Sequence, residues 1–269
     1  MQAMIFAAGL GTRLKPLTDT MPKALVKVGE RPLLDRVIMR LKEAGASHIV
    51  VNVHHFSEQI IDYLQTNSYG ISIDISDETE QLLDTGGGIK RAASLFKQDD
   101  PVLIHNVDIL SNVDLASFYY HATANDSTTT ATDALLLVSA RTTQRYLIFS
   151  EEMRLMGWTN VSTGEVKSPY AALQGLRFEV PSETNPHALQ HGYHLYAFSG
   201  IHAIAPSALK TMQEEEGEVF PIIDFYLRHC KKLNFQGEVK RDLKLMDVGK
   251  IGSLKEAEAF VQLRERWER

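Results

Sequence analysis

The chain has a single cysteine, Cys230, so no intrachain disulfide can staple it. At 269 residues it is long enough to bury a core without one. It has no apolar run near the roughly 20 residues that a membrane-spanning helix requires. Nor does it have an excess of basic charge: 28 lysines and arginines stand against 34 aspartates and glutamates, for a formal net charge of -6. That balance argues against a protein holding nucleic acid on a broad basic face, while leaving room for a local basic pocket. The ten histidines form neither a zinc spacing with cysteine nor an HExxH helix, and no internal repeat is visible. The first residues show no basic leader and no apolar anchor, so the cytoplasm is the expected compartment and no membrane or nucleic-acid partner is expected. Apolar residues at 44% and charged residues at 23% describe an ordinary globular chain.

What the chain does have begins at its first strand. The apolar run Ala3-Met4-Ile5-Phe6-Ala7-Ala8 empties into Gly9-Leu10-Gly11-Thr12-Arg13-Leu14-Lys15-Pro16-Leu17-Thr18, and Met21-Pro22-Lys23 follows. Backbone N–H groups of a glycine loop can converge on phosphate oxygens because no Cβ blocks the approach, and nearby cations neutralise the remaining charge. Two familiar phosphate loops do not fit. Leu14 stands where a dinucleotide fingerprint needs its third glycine, and no Gly-Lys-Ser/Thr follows as a P-loop requires.

Residues 3–8, 48–53, 71–76, 101–105 and 134–138 read as strands, with helices at 33–44, 57–66, 87–95 and 115–124 between them. This alternation predicts an α/β fold with a mostly parallel sheet and helices on both faces. Ligands in such sheets collect at the carboxyl ends of the strands, which makes the loops after Ala8 and His105 neighbours. The polar stretch 125–133 reads as a surface connection. From 141 to 194 the pattern changes. Residues 145–149 and 155–158 suggest a hairpin, followed by an irregular segment, and this β-rich insertion is expected to form a lid carrying exposed Tyr146, Trp158 and Tyr170. A strand at 194–204, helices at 207–212 and 221–229, and an amphipathic helix at 253–269 with Ser253 as its cap complete the reading.

Four further segments could carry chemistry. Asp84-Thr85-Gly86-Gly87-Gly88 is a second glycine loop, and three consecutive glycines are a costly way to make an ordinary turn. Asn106-Val107-Asp108 ends a strand, where a carboxylate can serve as a helix cap or bind Mg²⁺. Met246-Asp247-Val248-Gly249 offers a second such carboxylate. In Phe198-Ser199-Gly200-Ile201-His202, glycine inside a strand marks a bulge or the close approach of a ligand. His105 borders the candidate metal loop, but its strand position suits packing.

Gly-x-Gly-Thr-Arg-x-x-Pro-Leu-Thr followed by Pro-Lys resembles the signature of nucleoside-diphosphate-sugar pyrophosphorylases, the sugar-1-phosphate nucleotidyltransferases, and the other segments extend the likeness over most of the chain. The resemblance implies a single domain with a Rossmann-like, mixed but mostly parallel sheet. Its nucleotide-binding part would span about 1–140, the insertion about 141–194, the sugar and second-metal part about 195–252, and a closing helix 253–269. It implies that Ala8, Gly9, Gly11, Thr12, Arg13 and Lys23 bind the nucleoside triphosphate, with Thr85, Gly86 and Gly87 against its base and ribose. Asn106, Ser199 and Gly200 would bind the sugar 1-phosphate. Asp108 and Asp247 would hold Mg²⁺, although Val107 stands where the family has glycine. Arg13, Lys23 and Asp108 would be the catalytic residues, with Arg13 on the departing pyrophosphate and Lys23 near the α-phosphate. The Glu-Lys-Pro segment whose lysine binds the sugar phosphate in some relatives is missing, so that anchor is unassigned. The glycine loop and the Phe198 strand look most like N-acetylmuramate 1-phosphate uridylyltransferases. Guanylyl transfer to mannose or heptose 1-phosphate, cytidylyl transfer to phosphocholine, and a silent nucleotide-binding regulatory module are the alternatives. A monomer or small homo-oligomer is expected.

Overall fold

A computed structural model describes residues 1–124 and 131–267 of the chain. Most of the polar stretch 125–133, and residues 268 and 269 of the helix expected at 253–269, lie outside the described residues. In chain order the elements are β1 (Gln2–Phe6), β2 (Lys27–Val28), β3 (Arg31–Pro32), α1 (Leu33–Glu43), β4 (His48–Val53), α2 (Ser57–Thr66), β5 (Ser72–Asp77), α3 (Asp84–Ala92), β6 (Val102–Asn106), β7 (Ile109–Ser111), α4 (Leu115–Thr123) and β8 (Ala134–Ser139). There follow β9 (Arg145–Phe149), β10 (Leu155–Asn160), β11 (Glu165–Lys167), β12 (His194–Ile204), α5 (Pro206–Glu215), α6 (Ile222–His229), β13 (Phe235–Val239), β14 (Leu245–Asp247) and α7 (Ser253–Trp267).

The centre of the molecule is a ten-stranded mixed sheet in which β6, β1, β4 and β5 run parallel in that spatial order. β1 lies between β4 and β6, with Met4 opposite both Val50 and Ile104. Alternation along β1 sorts its side chains onto two sheet faces. Ala3, Ile5 and Ala7 join a core packed under α1, whereas Met4 joins a core built with α6 residues such as Phe225 and Tyr226. A strand buried on both faces is apolar throughout, which is why the run was legible in the sequence.

The fifth expected strand, β8, does not sit beside β6. The eleven-residue β12 intervenes, antiparallel to both β6 and β8, and β13 then adds to β8 in parallel. The insertion is also not a free-standing lid. β9 pairs with the first residues of β12, and β10 and β11 continue outward, so the segment extends the sheet. Tyr146 is only 1% exposed and packs with Ile148, Leu173, Phe178 and Leu195; its hydroxyl accepts the Thr143 N–H. Trp158 and Tyr170 are half-buried, and the Tyr170 hydroxyl donates to the Cys230 carbonyl. β9 is buried on both faces, Tyr146 and Ile148 in one apolar cluster and Leu147 and Phe149 in another, so its continuous apolar run marks an interior strand.

Two helix starts differ from expectation. α3 begins at Asp84, itself in a left-handed conformation with φ of 60°, rather than at residue 87. Ser253 is the first residue of α7, and its hydroxyl turns back to the Lys250 carbonyl at 2.7 Å instead of capping the following turn.

Candidate active site

The first loop leaves β1 at the carboxyl edge of the sheet. Gly11 has a φ of 65°, a conformation open to glycine at little cost, and a Cβ there would lie 2.8 Å from the Thr18 side chain. The Thr18 hydroxyl fixes the turn by donating to the Gly11 carbonyl at 2.8 Å. Gly9 faces open space, and Thr12 and Arg13 are exposed on the short turn that follows. The chain then folds back so that Lys23, 9% exposed, forms an ion pair with Asp108 at the end of the β6 loop.

Asp247 arrives from the far end of the sequence. β14 pairs antiparallel with β7, placing Asp247 opposite Ile109, and the Val248 N–H donates to the Asp108 carbonyl at 2.8 Å. Arg13 reaches Asp247 at 3.9 Å. Gly249 permits that approach, since a Cβ there would stand 2.5 Å from Asp247 Oδ1 and 2.7 Å from the Arg13 guanidinium. The result is two cations and two carboxylates from four separate chain segments. Burial, and then the like charge of Asp108, push the Asp247 carboxyl up from its ordinary value against the pull of Lys23 and Arg13.

A cleft of about 470 Å³ opens beside this cluster. Ala8, Gly9, Lys23, Thr85, Asn106 and Asp108 all line it, so the expected phosphate, base and metal segments converge. Val107 lines it too while remaining 4% exposed within the core. Gly200 has a φ of 78° where the β12–β8 register slips, and a Cβ there would meet the Asn106 amide at 2.6 Å. These two expected sugar residues therefore touch.

Three expected site residues are also tied into the fold. Gly86 and Gly87 are buried in the first turn of α3, and Gly87 borders a neighbouring cavity with Glu78 and Glu218. A Cβ on Gly86 would overlap the Phe220 ring at 2.2 Å, and one on Gly87 would overlap the Glu218 carbonyl at 2.1 Å. Both N–H groups donate to the Phe220 carbonyl, so these glycines let the 218–222 segment dock on the helix. Ser199 is 3% exposed, and its hydroxyl accepts the Ile201 N–H inside the bulge. His105 is buried as expected; burial lowers its pKa to about 4, and Nδ1 bonds the Asn106 carbonyl.

Among the described residues, no three histidine, cysteine, aspartate or glutamate side chains cluster as a metal site. Two carboxylates set side by side, with Asp247 raised by burial and by Asp108, nevertheless suit Mg²⁺, which takes one or two protein carboxylates and completes its shell with substrate phosphates and water.

The sequence pattern of the family described as Nucleotidyl transferase matches residues 2–264. The chain belongs to this family. An N-acetylmuramate α-1-phosphate uridylyltransferase from Caulobacter vibrioides is 46% identical over 109 residues, 39% of this chain and 45% of that relative. A mannose-1-phosphate guanyltransferase from Kluyveromyces lactis is 38% identical over 125 residues, 44% of this chain and 34% of the relative. The chain spans about half the length, or less, of these curated relatives. In fold, it superposes on a putative glucose-1-phosphate thymidylyltransferase from Bacillus anthracis with a TM-score of 0.71 and 14% identity, covering 97% of this chain and 95% of the other. No described helix is long and apolar enough to cross a membrane.

In this member of the family, two buried residues that the motifs did not reveal join the loops. Asn52 in β4 accepts the Ala7 N–H at 2.8 Å and donates to Glu78 at 2.7 Å, and the other Glu78 oxygen accepts the Leu83 N–H at 3.3 Å. Both side chains are 2% exposed. One polar bridge thus runs from the end of β1 to the start of α3. Burial raises the Glu78 carboxyl above its ordinary value, with the Asn52 and Leu83 donors opposing. An asparagine among apolar strand residues is the available signal for such a bridge, since a buried amide must find partners.

Proposed function

We propose that the chain transfers a nucleotidyl group from a nucleoside triphosphate to a sugar 1-phosphate, releasing pyrophosphate. The observation carrying this reading is the meeting of Asp108 and Asp247 beside the open glycine loop with Arg13 and Lys23. A phosphate oxygen of the acceptor attacks the α-phosphorus as the bond to the bridging oxygen of the β-phosphate breaks, and pyrophosphate departs. The acceptor phosphate is already anionic, so no protein nucleophile is required. Catalysis consists of positioning and of charge stabilisation at the transferred group. Asp108 and Asp247 are the residues that would hold Mg²⁺, which would supply charge neutralisation at the transferred phosphate. Lys23 leaves its pair with Asp108 to meet the α-phosphate, Arg13 stabilises the leaving pyrophosphate, and amides of the 8–12 loop position the triphosphate. Thr85 and the cleft wall near Leu82 receive the nucleoside, while Asn106 and the backbone at Gly200 take the sugar.

The 46% identical relative favours uridylyl transfer to N-acetylmuramate 1-phosphate or a related sugar. The second reading, guanylyl transfer to mannose 1-phosphate, draws on the 38% identical guanyltransferase. Pyrophosphate release from each of the common ribonucleoside triphosphates against a panel of sugar 1-phosphates, with Mg²⁺ or with EDTA, tests both. The leading reading expects the highest kcat/KM for UTP with N-acetylmuramate 1-phosphate and none with EDTA. Preference for GTP with mannose 1-phosphate establishes the second, and silence across the whole panel refutes the transferase reading.

A further inference from the structure

The two cations of the charged cluster are paired with carboxylates, Lys23 with Asp108 and Arg13 with Asp247, and on the reading above both serve the nucleotide. On the same reading the acceptor brings a phosphate of its own to the cleft near Asn106, which meets the bulge of β12 at Gly200. Lys167 pairs with Glu165 and sits over the Trp158 ring, and Lys240 pairs with Asp242. Arg141 is different. It begins the loop joining β8 to β9, it is exposed, and Nη2 donates to the Phe198 carbonyl at 3.1 Å. That carbonyl belongs to the residue at which the β12–β8 register starts to slip, two positions before Gly200. The Asp247 carboxylate acts electrostatically on the same guanidinium. Arg141 is therefore tethered by a neutral carbonyl between the bulge that touches Asn106 and the carboxylate that completes the charged cluster.

A guanidinium has five N–H donors in a rigid fork that matches phosphate bidentately, and one bond to a carbonyl leaves the others available. The tether also fixes the side chain before a ligand arrives, which lowers the ordering cost of binding. We infer that Arg141 binds the phosphate of the acceptor substrate and turns its attacking oxygen towards the Asp108–Asp247 cluster. The inference rests on the transferase reading above, and it assigns to Arg141 the anchor for which the sequence offered no lysine.

The test uses the full chain carrying Arg141→Ala or Arg141→Lys, with pyrophosphate release measured while acceptor and nucleotide are titrated separately. Arg141→Ala should raise the acceptor KM by about 30-fold or more while the nucleotide KM stays within about twofold, because one bidentate, charge-assisted contact is lost on one substrate only. Arg141→Lys should recover part of the loss, since a point charge keeps the attraction without the fork. Inorganic phosphate, used as a competitor of the acceptor, should inhibit the alanine variant less than the wild type. An unchanged acceptor KM in an otherwise active Arg141→Ala protein overturns the assignment and leaves the transferase reading standing; so does a rise confined to the nucleotide KM. A wild-type chain inactive with every acceptor overturns both.

Discussion

Replacing Asn52 with alanine removes the only side chain in the bridge that bonds both to the end of β1 and to Glu78. The Ala7 N–H, in a residue 2% exposed, loses its acceptor, and Glu78 loses one of its two donors while its carboxylate stays buried. Each buried polar group left unsatisfied costs about 1–3 kcal/mol, so the variant should lose about 2–5 kcal/mol of stability. In a chain of this size that corresponds to a fall in Tm of about 5–15 °C. Calorimetry at neutral pH measures it. A double-mutant cycle with Glu78→Ala should give a coupling of about 1 kcal/mol or more, because the second substitution removes a carboxylate that the first has already stripped of a partner. The nucleotide KM should rise as well, since Ala7 leads into the phosphate loop and Leu83 into the second loop. If the loss is below about 0.5 kcal/mol, or the two substitutions simply add, the bridge does not join the loops.

Gly87→Ala drives a Cβ towards the Glu218 carbonyl, 2.1 Å from its ideal position, and should cost about 1–3 kcal/mol through backbone displacement; thermal unfolding with intact Gly9→Ala as the open-space control checks this. Asp108→Asn leaves the 9%-exposed Lys23 without its partner charge and should reduce turnover by about 100-fold or more, as should Arg13→Ala; wild-type turnover by either variant contradicts their roles. Burial lowers the pKa of His105 from 6.5 to about 4 and that of His202 to about 3. The unfolded chain therefore binds protons below pH 6.5 that the folded chain refuses, so stability is full above that value and falls as pH drops, by about 1.4 kcal/mol per pH unit for each histidine. Denaturant titrations from pH 7 to pH 5 should show the decline, and His202→Gln should make it shallower.

The parts of the fold legible in the sequence are those whose causes are local. β1 and β4 announce themselves because strands covered on both faces are mostly apolar, with Gln2, His48 and Asn52 the polar exceptions. The Gly11 turn is readable because few other residues take its conformation at low cost. The partnerships were harder to read. Asp108 and Asp247 could be paired only through a family likeness, since nothing local says that β14 will lie beside β7. Asn52 and Glu78 escaped notice because a hydrogen bond between distant strands leaves no periodic trace. Gly86 and Gly87 showed that the backbone there must be bare, but not whether a base or the Glu218–Phe220 backbone would approach it. Tyr146 looked exposed for want of Leu173 and Leu195, which reach it through later chain segments.

The late arrival of β12 also bears on synthesis of the protein. β6 is made early, but the strand that covers its outer edge comes from residues 194–204, after β8, β9, β10 and β11. Until then the growing chain carries an open row of backbone donors and acceptors on a highly apolar strand, with β8 at hand as a wrong neighbour. Correct assembly requires β12 to enter between two strands already made, rather than to extend an existing edge. Fragments ending before residue 204 should therefore associate through β6, and the hazard to a nascent chain lies in the interval before that strand emerges from the ribosome.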